Sequence, residues 1–228
     1  MMTRHFPVIM LLCLLACGNS GGGSQNKQQP KPAALFTYDK DGLPLKKVYD
    51  TAGNKENCFI VISKVHPEHL SVYEAKGRDT VLLAVYPACV ARDKGQKEKK
   101  GDNKTPESYP GKPFSISQIK DAHNWTHDFG DGRGPILAYG NWFLRLDTPR
   151  FGGIGIHGST GNRESIKTGR GSEGCIRLLD EDIIHLKENY VWLGMPVIIL
   201  PEGMGPLPFE AAALKKRARN EGAQSPGQ

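Results

Sequence analysis

Short apolar runs and strict alternation of apolar and polar residues indicate that this chain is built mainly from strands. Residues 58–63 form a compact β-branched run, residues 69–76 alternate, and residues 80–91 form the longest apolar run of the mature chain. Residues 142–146 and 153–156 show strand-like patterns again. Because short apolar runs and a period of two are typical of strands, the pattern predicts a strand at each of these places.

Helical periodicity is confined to the C-terminal part of the chain. Residues 180–191 predict a helix, because Asp180 can cap the first turn and apolar residues recur on one stripe. That stripe consists of Ile183, Leu186 and Tyr190. The other elements predicted here are a closing strand at residues 195–200 and a short basic helix at residues 209–219.

The first residues resemble an export signal. Residues 8–16 form an apolar run too short to span a bilayer, and Cys17 follows in Leu-Ala-Cys-Gly. This resembles a bacterial lipobox and predicts a lipoprotein signal peptide at residues 1–16 with a lipid on Cys17. An ordinary signal peptide cleaved nearby is the alternative. The protein is therefore expected in the cell envelope, held on a membrane by its lipid anchor and facing the periplasm.

Composition divides the rest of the chain. Residues 17–56 carry the predicted lipidated cysteine, a flexible tether and a transition segment, residues 57–200 hold the patterned strands, and residues 201–228 form a basic tail. With 228 residues, 38% hydrophobic and 24% charged, the chain is long enough for one globular domain. Its net charge of +6 favours polyanions, including anionic cell-wall polymers. No nucleic-acid recognition module accompanies that charge, so nucleic acid is not an expected partner.

Two features of this part carry open alternatives. The Lys-rich residues 93–104 are interpreted as a solvated loop. Cys58 and Cys89 are either a disulfide, which an exported compartment allows, or two small buried residues in strands. Either arrangement leaves Cys175 free.

Cys175 and His157 are the candidate chemical pair. In the strand pattern around residue 156, Ile154 and Ile156 face one side, so His157 and Gly155 face the other, where Gly155 leaves room for a ligand. An imidazole can take the proton of a thiol or hold the thiolate as an ion pair. If His157 activates Cys175, alkylation of that thiol is expected to remain fast below the pKa of a free thiol.

The residues around Cys175 suit acyl transfer. Gly174 lets the backbone approach a substrate carbonyl, and the amides of Gly174 and Cys175 could receive the oxyanion of a tetrahedral intermediate. If the segment is extended, Arg177 emerges on the same side as Cys175 and could fix the thiolate or a substrate carboxylate. These residue types predict acyl transfer through a thioester.

Metal and dinucleotide chemistry are less well supported. The chain has neither CxxC nor HExxH, which disfavours zinc, and its one GxGxxG match at residues 169–174 lacks a βαβ context. A zinc site would have to combine Cys175 and His157 with one further histidine. The histidines available for that position are His123, His127 and His185.

Taken together, the motifs resemble the YkuD-type L,D-transpeptidase family over roughly residues 57–200. The family signature is His-Gly, a spacer, and Ser-x-Gly-Cys-x-Arg, with an upstream Gly-Asp-x-x-Thr-Pro followed by Gly and an aromatic residue. The corresponding segments here are residues 156–159, residues 172–178, residues 101–106 with Gly111 and Phe114, and the closing residues 194–199.

The resemblance implies a mostly β, sandwich-like domain with a few short helices and a cradle for the cysteine. It implies that Cys175 attacks the L-centre carbonyl of a peptidoglycan tetrapeptide stem, and that an amine of a neighbouring stem resolves the thioester into a 3–3 cross-link. His157 would be general base and then acid, oriented by the Gly158 carbonyl, with Ser172 and Arg177 in supporting positions. No metal or organic cofactor is expected, and the protein is expected to be monomeric.

Two departures from the family pattern leave questions open. Glu173 stands where the family often has histidine, and an inward-pointing carboxylate there would raise the pKa of Cys175. Residues 121–142 are long and form either a lid or substrate wall, or a packed surface loop. An L,D-carboxypeptidase that transfers to water, and a non-catalytic wall-binding lipoprotein, are the alternative functions.

Overall fold

In the computed structural model, residues 35–223 are described, with side chains described as far as residue 219. The strands are β1 (Thr37–Tyr38), β2 (Pro44–Leu45), β3 (Lys47–Val48), β4 (Cys58–Ser63), β5 (His69–Lys76), β6 (Asp79–Pro87), β7 (Val90–Ala91), β8 (Phe114–Asp121), β9 (Thr126–His127), β10 (Ile136–Leu137), β11 (Trp142–Leu146), β12 (Gly155–His157), β13 (Arg170–Ser172), β14 (Ile176–Arg177) and β15 (Pro196–Ile199). The helices are α1 (Ser165–Thr168), α2 (Asp180–Asn189) and α3 (Pro208–Ala223), and a 3-10 turn spans Lys55–Asn57.

One large sheet organises these elements. Its strand order is β14-β12-β11-β8-β15-β4-β5-β6-β3, and three two-stranded sheets pair β1 with β2, β9 with β10 and β7 with β13. β4 lies parallel to β15 and antiparallel to β5. Ile60 and Ile62 of β4 belong to the main core, while Val61 belongs to a second cluster on the opposite face. Burial on both faces explains why this strand is a continuous apolar run.

The second cluster lies under α3. Phe209 makes edge-to-face ring contacts with Phe59 and Tyr73, at centroid distances of 5.6 Å and 5.4 Å. Ala213 of the same helix is buried in this cluster. Part of the segment interpreted from sequence as a basic tail therefore packs on the sheet and shields β5 and β6 from water.

The prediction of a mostly β domain with a few short helices is confirmed. The apolar run at residues 80–91 differs from the expectation of one strand, since β6 ends at Pro87 and β7 begins at Val90. Between them, Cys89 exchanges backbone hydrogen bonds of 2.9 Å and 2.8 Å with Arg177. The strand breaks because the chain changes partners there, from β5 to the segment that carries Arg177.

The sequence pattern missed β8, although this strand joins the two halves of the large sheet. Its pairing with β11 shifts register between Arg145 and Leu146. Consequently Ile116 and Ile119 both pack in or against the main core. In a regular strand, residues separated by an odd number of positions would point to opposite faces. A bulge of this kind shifts the period-two signal from one face to the other within the strand.

Among residues 35–223, no helix is both long and apolar enough to cross a bilayer. The predicted signal peptide at residues 1–16 and the predicted lipid site Cys17 lie outside the described residues. Both stay predictions.

Candidate active site

A cavity of about 490 Å³ opens where β12 and β14 end beside each other. The two strands are parallel, and their register places His157 next to Arg177. Cys175 comes directly before β14, so the same pairing brings it to the cavity together with Ser172. Four of the predicted site residues thus line one cavity, while Gly158 and Gly174 adjoin it through their backbone.

His157 is held in one orientation. Its Nδ1–H donates to the Gly158 carbonyl at 2.7 Å, which leaves Nε2 as the nitrogen with a free lone pair. The imidazole stacks on Phe143, with ring centroids 5.6 Å apart and an interplanar angle of 14°, and the Tyr139 ring also contacts it at a centroid distance of 4.8 Å. The ring is buried, so its tautomer and rotamer are both set by protein contacts.

Asp180 stabilises the turn that follows His157. Its carboxylate accepts hydrogen bonds from the amides of Ser159 (2.8 Å) and Thr160 (3.1 Å), and also from the Thr160 hydroxyl. The prediction that Asp180 caps α2 is wrong, because Leu179 occupies the N-cap position and no side chain caps the helix. A first-turn carboxylate still suits the positive helix end, but this one reaches across to the histidine loop.

The close approach of two glycines makes room for Asp180. A Cβ on Gly158 would lie 2.3 Å from Asp180 Oδ1 and 2.8 Å from Gly140 Cα. A Cβ on Gly140 would lie 2.5 Å from the same oxygen and 2.7 Å from Gly158 Cα. The His-Gly pair of the motif therefore needs glycine because its α-carbon lies against a second loop, where a Cβ would overlap Asp180 and Gly140.

Ser172 shapes the turn that carries the thiol. Its hydroxyl donates to the Cys175 carbonyl at 2.5 Å and accepts from the Gly174 amide at 3.2 Å. Gly174 has φ of +146°, a conformation that side-chain-bearing residues rarely adopt. Since the Gly174 amide already donates to Ser172, only the Cys175 amide of the predicted oxyanion pair stays a candidate donor.

The electrostatics favour a neutral thiol beside a neutral imidazole. Burial, followed by the charge of Arg177, lowers the pKa of His157 to about 3. Burial raises the pKa of the Cys175 thiol, although the Gly155 backbone and the charges of Arg177 and Arg145 oppose that shift. Of the two alternatives, a base that takes the thiol proton is therefore favoured over a preformed ion pair.

Arg177 is a buried guanidinium on the cavity wall. Its Nη1 donates to the Gly171 carbonyl at 3.1 Å, and its Cζ lies 5.2 Å from the centre of the Phe129 ring. Among the described residues its Nε has no hydrogen-bond partner. This side chain thus places a positive charge and an unused donor beside the reacting groups.

Residues 121–142 form one wall of the cavity. β9 and β10 pair within this segment, and His127, Phe129 and Tyr139 line the cavity. Trp125 packs against Tyr139 and Phe143 behind that wall, so the segment is both packed and part of the site. The predicted ligand space beside Gly155 is wrong, because the Phe143 ring would lie 2.5 Å from a Cβ there.

The Lys-rich loop also lines the cavity, so it does more than form the solvated loop expected from the sequence. Asp102 accepts from Lys97 Nζ at 2.6 Å and from the amides of Glu98 (2.7 Å) and Lys99 (3.0 Å). Despite its burial, these hydrogen bonds hold the pKa of Asp102 well below its usual value. Lys97 is buried by this pairing, and Lys97 and Lys100 both line the cavity.

Glu173 and His127 meet at the cavity rim. Glu173 Oε2 lies 3.0 Å from His127 Nε2, and the two side chains are 50% and 34% exposed. Burial is the main cause of the raised pKa of Cys175, and the charge of Glu173 adds to it, in the predicted direction. Sequence reasoning could not pair these residues, because they are 46 residues apart in the chain.

The other cysteines and histidines have separate roles. Cys58 and Cys89 are free and buried, which favours the small-buried-residue alternative over a disulfide. His185 Nδ1 lies 2.8 Å from the Tyr86 hydroxyl, and His123 contacts Asp121. No group of three metal-ligating side chains occurs in the part of the chain described here.

Among the comparisons with known proteins, one family model matches the chain. The model of the YkuD family, the L,D-transpeptidase catalytic domain, matches residues 59–199. No curated protein sequence matches the chain.

Solved structures similar to this chain share little sequence with it. Bdellovibrio bacteriovorus Bd1075 is 17% identical with a TM-score of 0.48, covering 78% of this chain and 60% of that one. The helical cell shape determining protein Pgp2 from Campylobacter jejuni is 18% identical with a TM-score of 0.47, covering 79% and 59%. The L,D-transpeptidase from Mycobacterium smegmatis is 20% identical with a TM-score of 0.39, covering 63% and 59%. The chain thus spans about 60% of the length of these structures.

Proposed function

The chain belongs to the YkuD family of L,D-transpeptidase catalytic domains, and from that premise we propose that it forms 3–3 cross-links in peptidoglycan through a thioester on Cys175. The observation that carries the proposal is a buried His157 with Nδ1 bound to the Gly158 carbonyl, in the same cavity as the Cys175 thiol. A neutral imidazole with one free nitrogen is the form needed to accept a thiol proton.

In the first half-reaction, His157 Nε2 takes the thiol proton as sulfur attacks the L-centre carbonyl of a tetrapeptide stem. The Cys175 amide donates to the oxyanion, and the Arg177 charge stabilises the same developing negative charge. His157 then returns the proton to the leaving amine, and the terminal D-residue departs. Because both partners begin neutral, proton transfer and carbon–sulfur bond formation proceed together.

In the second half-reaction, an amine of a neighbouring stem attacks the thioester. The carbon–nitrogen bond forms as the carbon–sulfur bond breaks, and His157 carries the amine proton to the sulfur. The result is a 3–3 cross-link and a regenerated thiol. None of these steps uses a metal or an organic cofactor.

The cellular setting is proposed on the sequence alone. A lipid on Cys17 would hold the protein at a membrane of the cell envelope, and residues 17–56 would extend toward the periplasm and its peptidoglycan. Monomeric action is part of this proposal.

Incubation with purified tetrapeptide muropeptides, followed by mass spectrometry, tests the proposed activity. We expect cross-linked dimers and released D-residue with the full-length protein, and neither with Cys175→Ala. Tripeptide without dimers would replace transpeptidation by the L,D-carboxypeptidase alternative. Identical processing by Cys175→Ala would refute the enzymatic role and leave wall binding.

A further inference from the structure

The cavity around Cys175 is lined by side chains of both charges. Lys97 and Lys100 lie on the wall formed by the Lys-rich loop, and Arg177 lies beside the thiol. Among the described residues that line the cavity, Glu173 is the one carboxylate. Lys97 is already paired with Asp102, so Glu173 is the lining residue whose charge favours a bound cation.

Glu173 is well placed to receive such a cation. It is two residues from Cys175, it lines the same cavity, and half of its side chain is exposed. One carboxylate oxygen contacts His127 Nε2 at 3.0 Å, and Phe129 packs edge-on against the His127 ring at 4.5 Å. The contact with His127 thus orients one carboxylate oxygen, and the half-exposed side chain leaves the carboxylate accessible from the cavity.

A purely structural role explains Glu173 poorly. An exposed ion pair contributes little to folding, because water screens both charges. The negative charge also opposes formation of the Cys175 thiolate, which disfavours the acylation step. Because the charge of Glu173 hinders acylation, the first half-reaction, its presence suggests a role in transfer to the acceptor, the second half-reaction.

We propose that Glu173, oriented by His127, binds the ammonium group of the acceptor: a primary amine on the side chain of a diamino acid in a neighbouring stem peptide. The inference rests on the proposed function and specifies its second substrate. A primary amine is largely protonated near neutral pH, so it arrives as an ammonium ion that a carboxylate recognises through charge-assisted hydrogen bonds.

The chemical step balances as follows. The bound ammonium gives one proton to solvent and becomes a nucleophile beside the thioester. Nitrogen attacks the carbonyl carbon, the carbon–sulfur bond breaks, and the second amine proton passes through His157 to the sulfur. The products are an amide, the free thiol of Cys175 and one released proton.

Glu173→Gln in the full-length protein tests this role, because it removes the charge and keeps the size. The assay compares two acceptors on the same donor tetrapeptide: a peptide with a diamino acid side chain, and hydroxylamine, which is uncharged at neutral pH. Losing a charge-assisted contact should raise the KM for the peptide acceptor by about tenfold or more. Transfer to hydroxylamine and the rate of D-residue release should equal or exceed those of wild type, because the charge of Glu173 opposes formation of the Cys175 thiolate.

Glu98→Gln is the matched control. Glu98 is an exposed carboxylate on the Lys-rich loop and does not line the cavity, so its removal gives the same change in net charge away from the site. We expect both acceptors to behave as with wild type. His127→Gln retains a hydrogen-bond donor to Glu173 and should change the acceptor KM less than His127→Ala.

Each outcome decides between the hypotheses. An unchanged acceptor KM in Glu173→Gln would overturn the inference, and so would equal losses with both acceptors, which would indicate a merely structural role. If wild type releases no D-residue, the proposed function fails and the inference fails with it. If wild type acylates normally but the charge at Glu173 has no effect on acceptor choice, only the inference fails.

Discussion

Replacing Asp180 by alanine should weaken both the fold and the chemistry. The substitution removes the acceptor of three hydrogen bonds that hold the turn after His157, two of them from backbone amides. Ser159 is only 1% exposed, so water does not readily replace the carboxylate at its amide. The turn carries the Gly158 carbonyl, and any shift of that carbonyl also releases the His157 ring.

The expected magnitude follows from these contacts. A hydrogen bond to a charged group contributes about 1.5–3 kcal/mol, and the partial exposure of Asp180 places its bonds at the lower end of that range. Two amide bonds then contribute about 3 kcal/mol, which corresponds to a fall in Tm of roughly 6–12 °C for a domain of this size. Misplacement of the base by about 1 Å should slow acylation by about 100-fold.

Glu181→Ala is the matched control for this prediction. Glu181 is the next residue of α2, and its bidentate ion pair with Arg163 is half exposed on both sides. A pair of this kind contributes less than about 1 kcal/mol, so the control should unfold nearly as wild type. Urea unfolding at pH 7 and single-turnover release of the D-residue give the two measurements.

Two results would refute the reasoning about Asp180. Unfolding free energies of Asp180→Ala and Glu181→Ala that agree within about 0.5 kcal/mol would show that the buried turn does not depend on the carboxylate. A normal acylation rate in a destabilised Asp180→Ala protein would show that the turn supports the fold without orienting His157. Asp180→Asn, which keeps an acceptor oxygen, should recover most of the rate.

Three further predictions concern the same cavity. In urea unfolding, Gly140→Ala should destabilise the protein by about 2–4 kcal/mol more than Gly132→Ala. Both glycines have positive φ, but only a Cβ at Gly140 would overlap the backbone of Gly158. Equal effects of the two substitutions would contradict the close approach of Gly140 and Gly158. Alkylation of Cys175 by iodoacetamide should rise with pH to an apparent pKa above about 8.5, because burial raises the pKa of this thiol; a plateau below pH 7 would restore the ion-pair alternative. The pKa of His157 is about 3 in the folded protein and about 6.5 in the unfolded chain. Between these pH values only the unfolded chain binds a proton at this imidazole. The free energy of unfolding therefore falls as the pH is lowered from about 6.5 toward 3, by up to about 1.4 kcal/mol per pH unit. The unfolding free energy of His157→Gln should therefore fall less steeply between pH 6.5 and 4.5, and an unchanged slope would show that the imidazole is not buried.

Local patterns in the sequence predicted several elements correctly. The apolar runs placed β4, β5, β11 and β15, and the stripe of Ile183, Leu186 and Tyr190 placed α2, because each signal depends on neighbours within one turn or one strand. The motif residues around Cys175 and His157 were also identified from their types and order. They line one cavity because a parallel strand pair sets their register.

The sequence by itself determined the features that depend on residues close together in the chain. These are the strand periodicity, the apolar stripe of α2, and the motif that contains the thiol and the imidazole. The tertiary structure alone decided the contacts between distant loops. It directed Asp180 to the histidine turn, paired Glu173 with His127, and turned the Lys-rich loop into a cavity wall. It also decided the protonation states, because the pKa values of His157 and Cys175 are shifted mainly by burial, and burial depends on every element that packs around them.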